Sequence, residues 1–286
     1  MKAAEIINII EKIAPLGAQA PWDASGVQVA SFKEECVHLA VMLDPTFSSV
    51  ENAVAAGADF ILSHHPFSMQ PRFPNRADEY LAVLSRLISR NIWLYSAHTS
   101  LDASPEGPVR WLAGELQLHN LSLLEPTASP EGGAASDAGG AQGHGFGFVG
   151  DLPGALSYEE FCSRLSACLG REEWQACGER PAHVHRVACC PGSGGSMFKE
   201  ARAAGADVYI TGDVKYHTAL DAATAGIRIL DVGHFILEEE MMRRLALHLH
   251  EVLPIPVTFV PGVDPLGGEH VRDCCGVASG VPAEEE

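Results

Sequence analysis

The chain is organised around the stretch Asp59-Phe60-Ile61-Leu62-Ser63-His64-His65-Pro66, in which a short apolar run leads into two adjacent histidines. The run follows Gly57 and is too short for a helix, so it predicts a buried strand that Pro66 ends. The two imidazoles then lie at the carboxyl end of a strand, where open α/β sheets bind their ligands. Because neighbouring strand residues point to opposite faces, the pair serves two sites, holds two metal ions in one site, or is a solvated pair of loop histidines.

The same pattern occurs a second time further along the chain. Residues 53–59, Ala-Val-Ala-Ala-Gly-Ala-Asp, are matched at six of seven positions by residues 201–207, an offset of 201 − 53 = 148. At this offset the predicted strand 37–43 corresponds to residues 185–191, and Ser63 corresponds to Thr211. Strand, turn, helix and strand are therefore predicted twice, which indicates two related halves packed together around a cleft.

We predict an α/β fold of two pseudo-repeated halves, with mostly parallel sheets flanked by helices and the functional site in the cleft between them. The first half spans residues 1–125 and the second spans residues 146–270. Residues 126–145 consist mainly of Gly, Ala, Ser and Pro and are expected to form a flexible, low-complexity connection, with an acidic tail at 271–286. Ser157 and Glu160 form a capping-box signature, which predicts a helix over 158–169.

Composition excludes several classes of function. The 286 residues include 37 acidic and 19 basic side chains, a net charge of −18, which argues against nucleic acid as a partner. No run approaches the roughly 18 uninterrupted apolar residues of a membrane span. The eight cysteines include no C-x-x-C pair and are too sparse for a disulfide scaffold, so we expect reduced thiols in a cytoplasmic protein.

Two further histidines follow predicted strands, and each precedes an acidic residue by four positions. These pairs are His98 with Asp102 and His234 with Glu238. If a helix starts near His234, its imidazole and the Glu238 carboxylate share one helix face and can reach the same ion, and the carboxylate can also bridge to a second ion. Asp102 adds an oxygen ligand from the other half. Taken singly, each pair could instead be an incidental helix cap.

The candidate ligands combine nitrogen and oxygen without thiolates, which suits Zn, Mn, Fe or Ni rather than Ca. The set is His64, His65, Asp102, His234 and Glu238. A separate candidate is the glycine-rich turn at 191–196, which precedes a predicted helix and could hold an anion on its backbone N–H groups.

These residues resemble the motifs of the Nif-three-like proteins, often labelled GTP cyclohydrolase I type 2 homologues. The matching segments, in the family's order, are Trp22-Asp23-x-x-Gly26-Val27-Gln28-Val29, Ser63-His64-His65-Pro66, His98-Thr99-Ser100-Leu101-Asp102-Ala103, Thr211-Gly212-Asp213-Val214-Lys215-Tyr216-His217 and Gly233-His234-Phe235-x-x-Glu238. Ala24 and Ser100 stand where the family usually has Asn, which affects positioning rather than the ligands.

The resemblance implies two divalent metal ions per chain, held by His64, His65, Asp102, His234 and Glu238. It also implies a two-part α/β fold and a homohexamer. His98 and His217 would line the site without binding metal directly.

Metal-dependent hydrolysis is the first functional hypothesis, because paired ions bridged by a carboxylate activate water and polarise a substrate oxygen. The family label suggests GTP as the small-molecule substrate. Glu238 would then be catalytic as the bridging carboxylate, and His98 would move a proton, unless His98 is purely structural. The competing hypothesis is a non-enzymatic metal-handling or regulatory binding protein. A third is a scaffold whose ions only join the two halves.

Overall fold

The computed structural model describes residues 1–105, 107–127 and 143–266. Within these ranges, strands form two sheets flanked by helices, which confirms the predicted α/β class. The strands are β1 (Gly26–Val29), β2 (Leu39–Met42), β3 (Phe60–Ser63), β4 (Trp93–Ser96), β5 (His119–Pro126), β6 (Gly145–Ser157), β7 (Gln175–Cys177), β8 (His183–Cys189), β9 (Val208–Thr211), β10 (Arg228–Asp231) and β11 (Val257–Phe259). The helices are α1 (Ala3–Ile13), α2 (Phe47–Ala55), α3 (Glu79–Arg90), α4 (Thr99–Asp102), α5 (Trp111–Glu115), α6 (Tyr158–Leu169), α7 (Phe198–Ala203), α8 (Tyr216–Ala225) and α9 (His234–Val252).

The first sheet has the strand order β1-β4-β3-β2-β11. All of its pairings are parallel except that of the edge strand β1 with β4. Every residue of β2 and β3 is buried, as expected of central parallel strands covered on both faces. The strand that precedes His64 therefore lies in the middle of this sheet.

The second sheet has the order β5-β6-β8-β9-β10-β7 and is parallel only in its centre. Strands β8, β9 and β10 are parallel, whereas β5, β6 and β7 join in antiparallel pairings. The expected mostly parallel character thus holds for the first sheet and for the three central strands of the second.

The pseudo-repeat is present in the register of the two sheets. Leu39 pairs with Phe60 in the first sheet, and Val187 pairs with Val208 in the second. Both partners of the second pair lie 148 positions after their counterparts, as the sequence repeat predicts. In each half, β-α-β-α-β connectivity produces three adjacent parallel strands, β2-β3-β4 and β8-β9-β10.

One large core joins the two sheets, and α9 contributes to it over most of its length. Leu237, Met241, Leu245 and Leu249 are buried on one face of α9, and the helix packs on β2. Strand β11, which follows α9, pairs with β2 in the first sheet, so residues 146–270 are not confined to the second sheet. Contacts of α9 with β2 and β11 pack this helix against the first sheet.

Pro126 and Gly145 pair as neighbours in β5 and β6, so the predicted connection starts and ends in one hairpin. The rest of that connection, residues 128–142, lies outside the described residues, as does the predicted acidic tail at 271–286. The capping box of α6 is confirmed, since Glu160 N–H donates to Ser157 Oγ and Ser157 N–H donates to the Glu160 carboxylate. Among the described helices, none has the length and apolarity needed to cross a membrane.

Candidate metal centre

Side chains from both halves converge where the parallel strands end. His64 and His65 follow β3, His98 follows β4, and His234 is the first residue of α9, just after β10. Asp102 ends α4, and Glu238 lies one turn into α9. Ligand atoms lie within 4.8 Å of one another in three groups: His64, Asp102 and Glu238; His65, His234 and Glu238; and His64, His65 and His98. The structure therefore brings all five predicted ligand residues together, with His98 beside them.

The Glu238 carboxylate lies between the first two groups and is 3% exposed. Its Oε1 lies 3.6 Å from His64 Nε2. Its Oε2 lies 3.1 Å from His65 Nε2 and 2.7 Å from His234 Nε2. One carboxylate thus faces both groups with different oxygens, which is the arrangement expected of a bridging ligand.

Each of the four imidazoles uses Nδ1 for a hydrogen bond away from the centre. The acceptors are Ala97 O for His64 at 2.9 Å, and the carboxylates of Asp44 for His65, Asp23 for His98 and Asp213 for His234, each at 2.7 Å. Donation through Nδ1 leaves Nε2 free to coordinate, and carboxylates in this outer position orient metal-binding histidines. These outer hydrogen bonds were not predicted from the sequence, although Asp44 and Asp213 both follow the ends of central strands.

Two buried polar atoms in the centre have no hydrogen-bond partner. They are His64 Nε2 and Asp102 Oδ1, which lie 3.6 Å apart, too far for a hydrogen bond. Leaving a buried polar group unpartnered costs on the order of 1–3 kcal/mol. A cation between a neutral imidazole nitrogen and a carboxylate oxygen would satisfy both atoms. The residues present therefore fit a divalent metal ion.

The carboxylates stabilise positive charge in the centre. Burial alone would lower the pKa of His65, but hydrogen bonds to Asp44 and Glu238 outweigh it and raise that pKa to about 10. Burial is likewise outweighed at His234, where Glu238 raises the pKa to about 9. The pKa of Glu238 is held well below its usual value, because His64 and His234 outweigh its burial. Protons and metal ions would therefore compete for the same nitrogens.

The glycine-rich turn at 191–196 packs against this carboxylate. Gly192 has a φ of +69°, and a Cβ built on it would lie 2.2 Å from Glu238 Oε1. The Gly194 N–H donates to Thr211 Oγ1 within the protein. These contacts give the turn a role in making room for Glu238, which differs from the anion site that the sequence suggested.

His217, which the family resemblance placed near the site, lies at the start of α8. Its side chain is exposed, and its ring contacts that of Tyr216 with a centroid separation of 5.3 Å. His217 is in none of the three groups of ligand atoms that the described residues form.

Two cavities adjoin the centre on different sides. One, of about 840 Å³, has His65 and His234 in its wall together with Arg171 and Trp174, and we call it the Arg171 cavity. The other, of about 760 Å³, is lined by His98, Asp102, His234 and Glu238 together with Trp22, and we call it the Trp22 cavity. His234 lines both, so the centre is accessible from two directions.

Comparison with known proteins gives consistent matches along the chain. A sequence model of the family described as Duf34/NIF3 (NGG1p interacting factor 3) matches residues 1–263. The GTP cyclohydrolase 1 type 2 homolog of Clostridium perfringens (strain 13 / Type A) is 30% identical over 261 residues, 91% of this chain and 95% of that protein. The protein of the same name from Streptomyces coelicolor is 30% identical over 256 residues, 88% of this chain and 86% of that protein.

Solved structures agree with these matches. The structure described as reduced HcgD from Methanocaldococcus jannaschii has a TM-score of 0.77 at 28% identity, covering 91% of this chain and 98% of that chain. The Bacillus cereus protein related to NIF3 has a TM-score of 0.80 at 21% identity, covering 93% of this chain and 98% of that chain, and supports the fold alone.

Proposed function

The chain belongs to the Duf34/NIF3 family, and from this premise we propose that it binds two divalent metal ions and uses them to hydrolyse a small molecule. The observation that supports this most directly is the arrangement of imidazoles, each bonded outward through Nδ1, around one buried carboxylate. His64, Asp102 and Glu238 Oε1 would hold one ion. His65, His234 and Glu238 Oε2 would hold the other. These ligands suit Zn, Mn, Fe or Ni.

Two such ions, when bound, would supply an activated water and polarise a substrate oxygen. Glu238 fixes the two ligand groups relative to each other, because each of its oxygens faces one group. Asp23 holds the His98 ring in place by accepting from Nδ1, which leaves Nε2 available. Since a His98 nitrogen lies within 4.8 Å of those of His64 and His65, it is placed to transfer a proton to or from a substrate in the same space.

The name of the relatives is consistent with this reaction class. A cyclohydrolase opens a ring by hydrolysing carbon–nitrogen bonds, which is a hydrolysis that paired divalent ions can assist. The alternative, a metal-handling or regulatory protein without turnover, uses the same ligands and differs only in what happens after the ions bind.

Metal content and turnover, measured on two variants, separate these functions. We expect wild type to carry two ions per chain by elemental analysis and to hydrolyse at least one member of a panel of nucleosides, nucleotides and cyclic amides. Glu238→Gln should lose metal and turnover together, because no carboxylate then bridges the groups. His98→Ala should keep both ions and lose turnover. The matched control His217→Ala should keep both its metal ions and its turnover.

Each contrary outcome has a defined meaning. A wild type that carries no ion after metal supplementation would contradict the metal centre itself. A wild type that binds two ions, exchanges them quickly and hydrolyses nothing in the panel would establish the metal-handling function instead. Full activity in His98→Ala would remove the proton-transfer role from His98 and leave the metal centre intact.

A further inference from the structure

The two cavities differ in charge, which distinguishes them as approaches for a substrate. Besides His65 and His234, the described wall of the Arg171 cavity contains five carboxylates and one arginine: Asp44, Glu173, Asp213, Asp231 and Asp264, with Arg171. The acidic residues of the Trp22 cavity are Asp102, Glu125 and Glu238, and two of these are proposed metal ligands whose charge the ions would offset. The Trp22 cavity is therefore the less negative approach once metal is bound.

In the part of the chain that the structure describes, the Trp22 cavity also lacks the side chains that usually bind phosphate. Its described lining residues include neither Lys nor Arg. Proteins recognise phosphate groups mainly with Arg and Lys, which supply both charge and hydrogen bonds. Among the residues that the structure describes, a triphosphate would therefore find no Lys or Arg counter-charge in this cavity.

The cavity instead presents an aromatic ring at its edge. Trp22 is 62% exposed, and its ring lies edge-on to that of His98 with a centroid separation of 6.0 Å. The backbone beside it is fixed, because the Asp23 carboxylate accepts from Ser25 Oγ and from the Thr99 N–H, and the Asp23 N–H donates to Ala20 O. An exposed indole that projects from a fixed backbone, next to the histidine proposed to transfer a proton, is a stacking surface for a planar ring.

Building on the proposed function, we infer that the substrate is a planar ring compound without phosphate groups, which enters through the Trp22 cavity and stacks on Trp22. The ring then lies beside His98, with the bond to be cleaved facing Glu238. Hydrolysis adds one water across a carbon–nitrogen bond of the substrate: the water oxygen bonds to carbon, the carbon–nitrogen bond breaks, and the nitrogen leaves with a proton. His98 is placed to move that proton.

The test is equilibrium binding to the metal-loaded, full-length protein, measured calorimetrically without turnover. The probes are four nucleosides (adenosine, guanosine, cytidine and uridine), their 5′-triphosphates, and inorganic tripolyphosphate. We expect at least one nucleoside to bind as tightly as its triphosphate or more tightly. Trp22→Ala should weaken nucleoside binding about ten-fold, the loss typical of removing one ring that stacks on a base. Trp22→Phe should restore most of the affinity, and Trp174→Ala, in the Arg171 cavity, should leave it unchanged.

Tripolyphosphate has no ring to stack on the indole, so its affinity should be equal in wild type and Trp22→Ala. Several outcomes overturn the inference: triphosphates that bind more than ten-fold more tightly than every nucleoside, nucleosides that do not bind at millimolar concentration, or nucleoside affinity that Trp22→Ala leaves unchanged. A change in solution mass in Trp22→Ala also overturns it, because Trp22 would then be a subunit contact. None of these outcomes alters the metal content, so they are distinguishable from failure of the proposed function.

Discussion

At the scale of single residues, the missing side chain of Gly192 sets the position of the central carboxylate. Its backbone is left-handed, with φ at +69°, and a Cβ would lie 2.2 Å from Glu238 Oε1 and 3.7 Å from His234 Nε2. No side chain fits at that distance, so any substitution must move the carboxylate or the turn. Glycine is required here for space as well as for conformation.

We therefore predict that Gly192→Ala lowers metal affinity by displacing Glu238. The matched control is Gly170→Ala, at the end of α6, which has a similar φ of +63° but no atom within 4 Å of the added Cβ. Both variants should lose about 1 kcal/mol or more of stability from strain at positive φ, measured by urea unfolding. Only Gly192→Ala should also lose bound metal in elemental analysis. Equal metal content in the two variants would show that Glu238 can move without any loss of metal affinity.

The sequence identified the inward-facing residues of the centre but not their outer partners. His64 and His65 are identifiable because two adjacent histidines follow a short apolar strand, and Glu238 is identifiable because it follows His234 by four residues. Asp44 and Asp213 are two of 37 acidic residues, and only the fold brings them to the Nδ1 atoms of His65 and His234. A rule that pairs each strand-end histidine with a strand-end acid of a neighbouring strand would have found them.

At the scale of elements, the aspartate of the repeated Ala-Gly-Ala-Asp segment makes equivalent hydrogen bonds in both halves. Asp59 accepts from the backbone N–H groups of Val37 and His38, at 3.0 and 3.1 Å, just before β2. Asp207 accepts from the corresponding N–H groups of His185 and Arg186, both at 2.8 Å, near the start of β8. Each aspartate thus ties the helix–strand turn to the preceding strand and fixes the register of the parallel pair.

We predict that Asp59→Ala destabilises the protein more than Asp207→Ala. Asp59 is 5% exposed, so the N–H groups of Val37 and His38 would gain little contact with water once the carboxylate is removed. The Lys33 ammonium would lose its carboxylate partner as well. Unpartnered buried donors cost on the order of 1–3 kcal/mol each, whereas the more exposed Asp207 can be replaced partly by solvent. Urea unfolding of both variants measures the difference. A larger loss in Asp207→Ala would contradict this ranking.

The elements that the sequence could predict are those whose burial follows from local pattern. β2, β3 and β9 are short, wholly buried runs, and α9 starts at the predicted His234. The full length of the 13-residue strand β6 does not follow from the sequence, because Pro153 and Gly154 interrupt its hydrophobic pattern. The structure accommodates them where the register shifts between Asp151 and Leu156, as bulges commonly do. β7 has only three residues, Gln175–Cys177, and none of them is buried, so no hydrophobic signal marks it.

At the scale of the whole molecule, the two halves contribute different side chains from equivalent positions. The His98–Asp102 pair follows β4, and the His234–Glu238 pair follows β10, the corresponding strand of the other half. At the offset of 148, by contrast, His65 corresponds to Asp213, and Asp44 corresponds to Gly192. One half thus supplies two imidazoles, whereas the other supplies a supporting carboxylate and the space for Glu238. This division depends on how the halves face each other, which the repeat alone does not specify.

Because the proposed ligands come from both halves, bound ions would act as cross-links between the two sheets. We predict that removing metal with a chelator lowers the unfolding temperature of wild type by several degrees, and that adding metal back restores it. Each ion at a hundred times its dissociation constant adds about 2.7 kcal/mol to the free energy of unfolding. Differential scanning calorimetry at fixed protein concentration measures the shift.

The control for this effect is the double variant His64→Ala, His65→Ala, which removes a ligand from each proposed ion site while Asp102, His234 and Glu238 stay in place. Its unfolding temperature should not respond to the chelator, because ions no longer join the halves. If neither wild type nor the double variant responds, the ions contribute nothing to holding the sheets together, and the scaffold hypothesis is wrong. If both wild type and the double variant respond equally and strongly, the stabilising ion binds elsewhere in the chain. A response confined to wild type therefore ties the stability of the fold to this one centre, independently of any substrate.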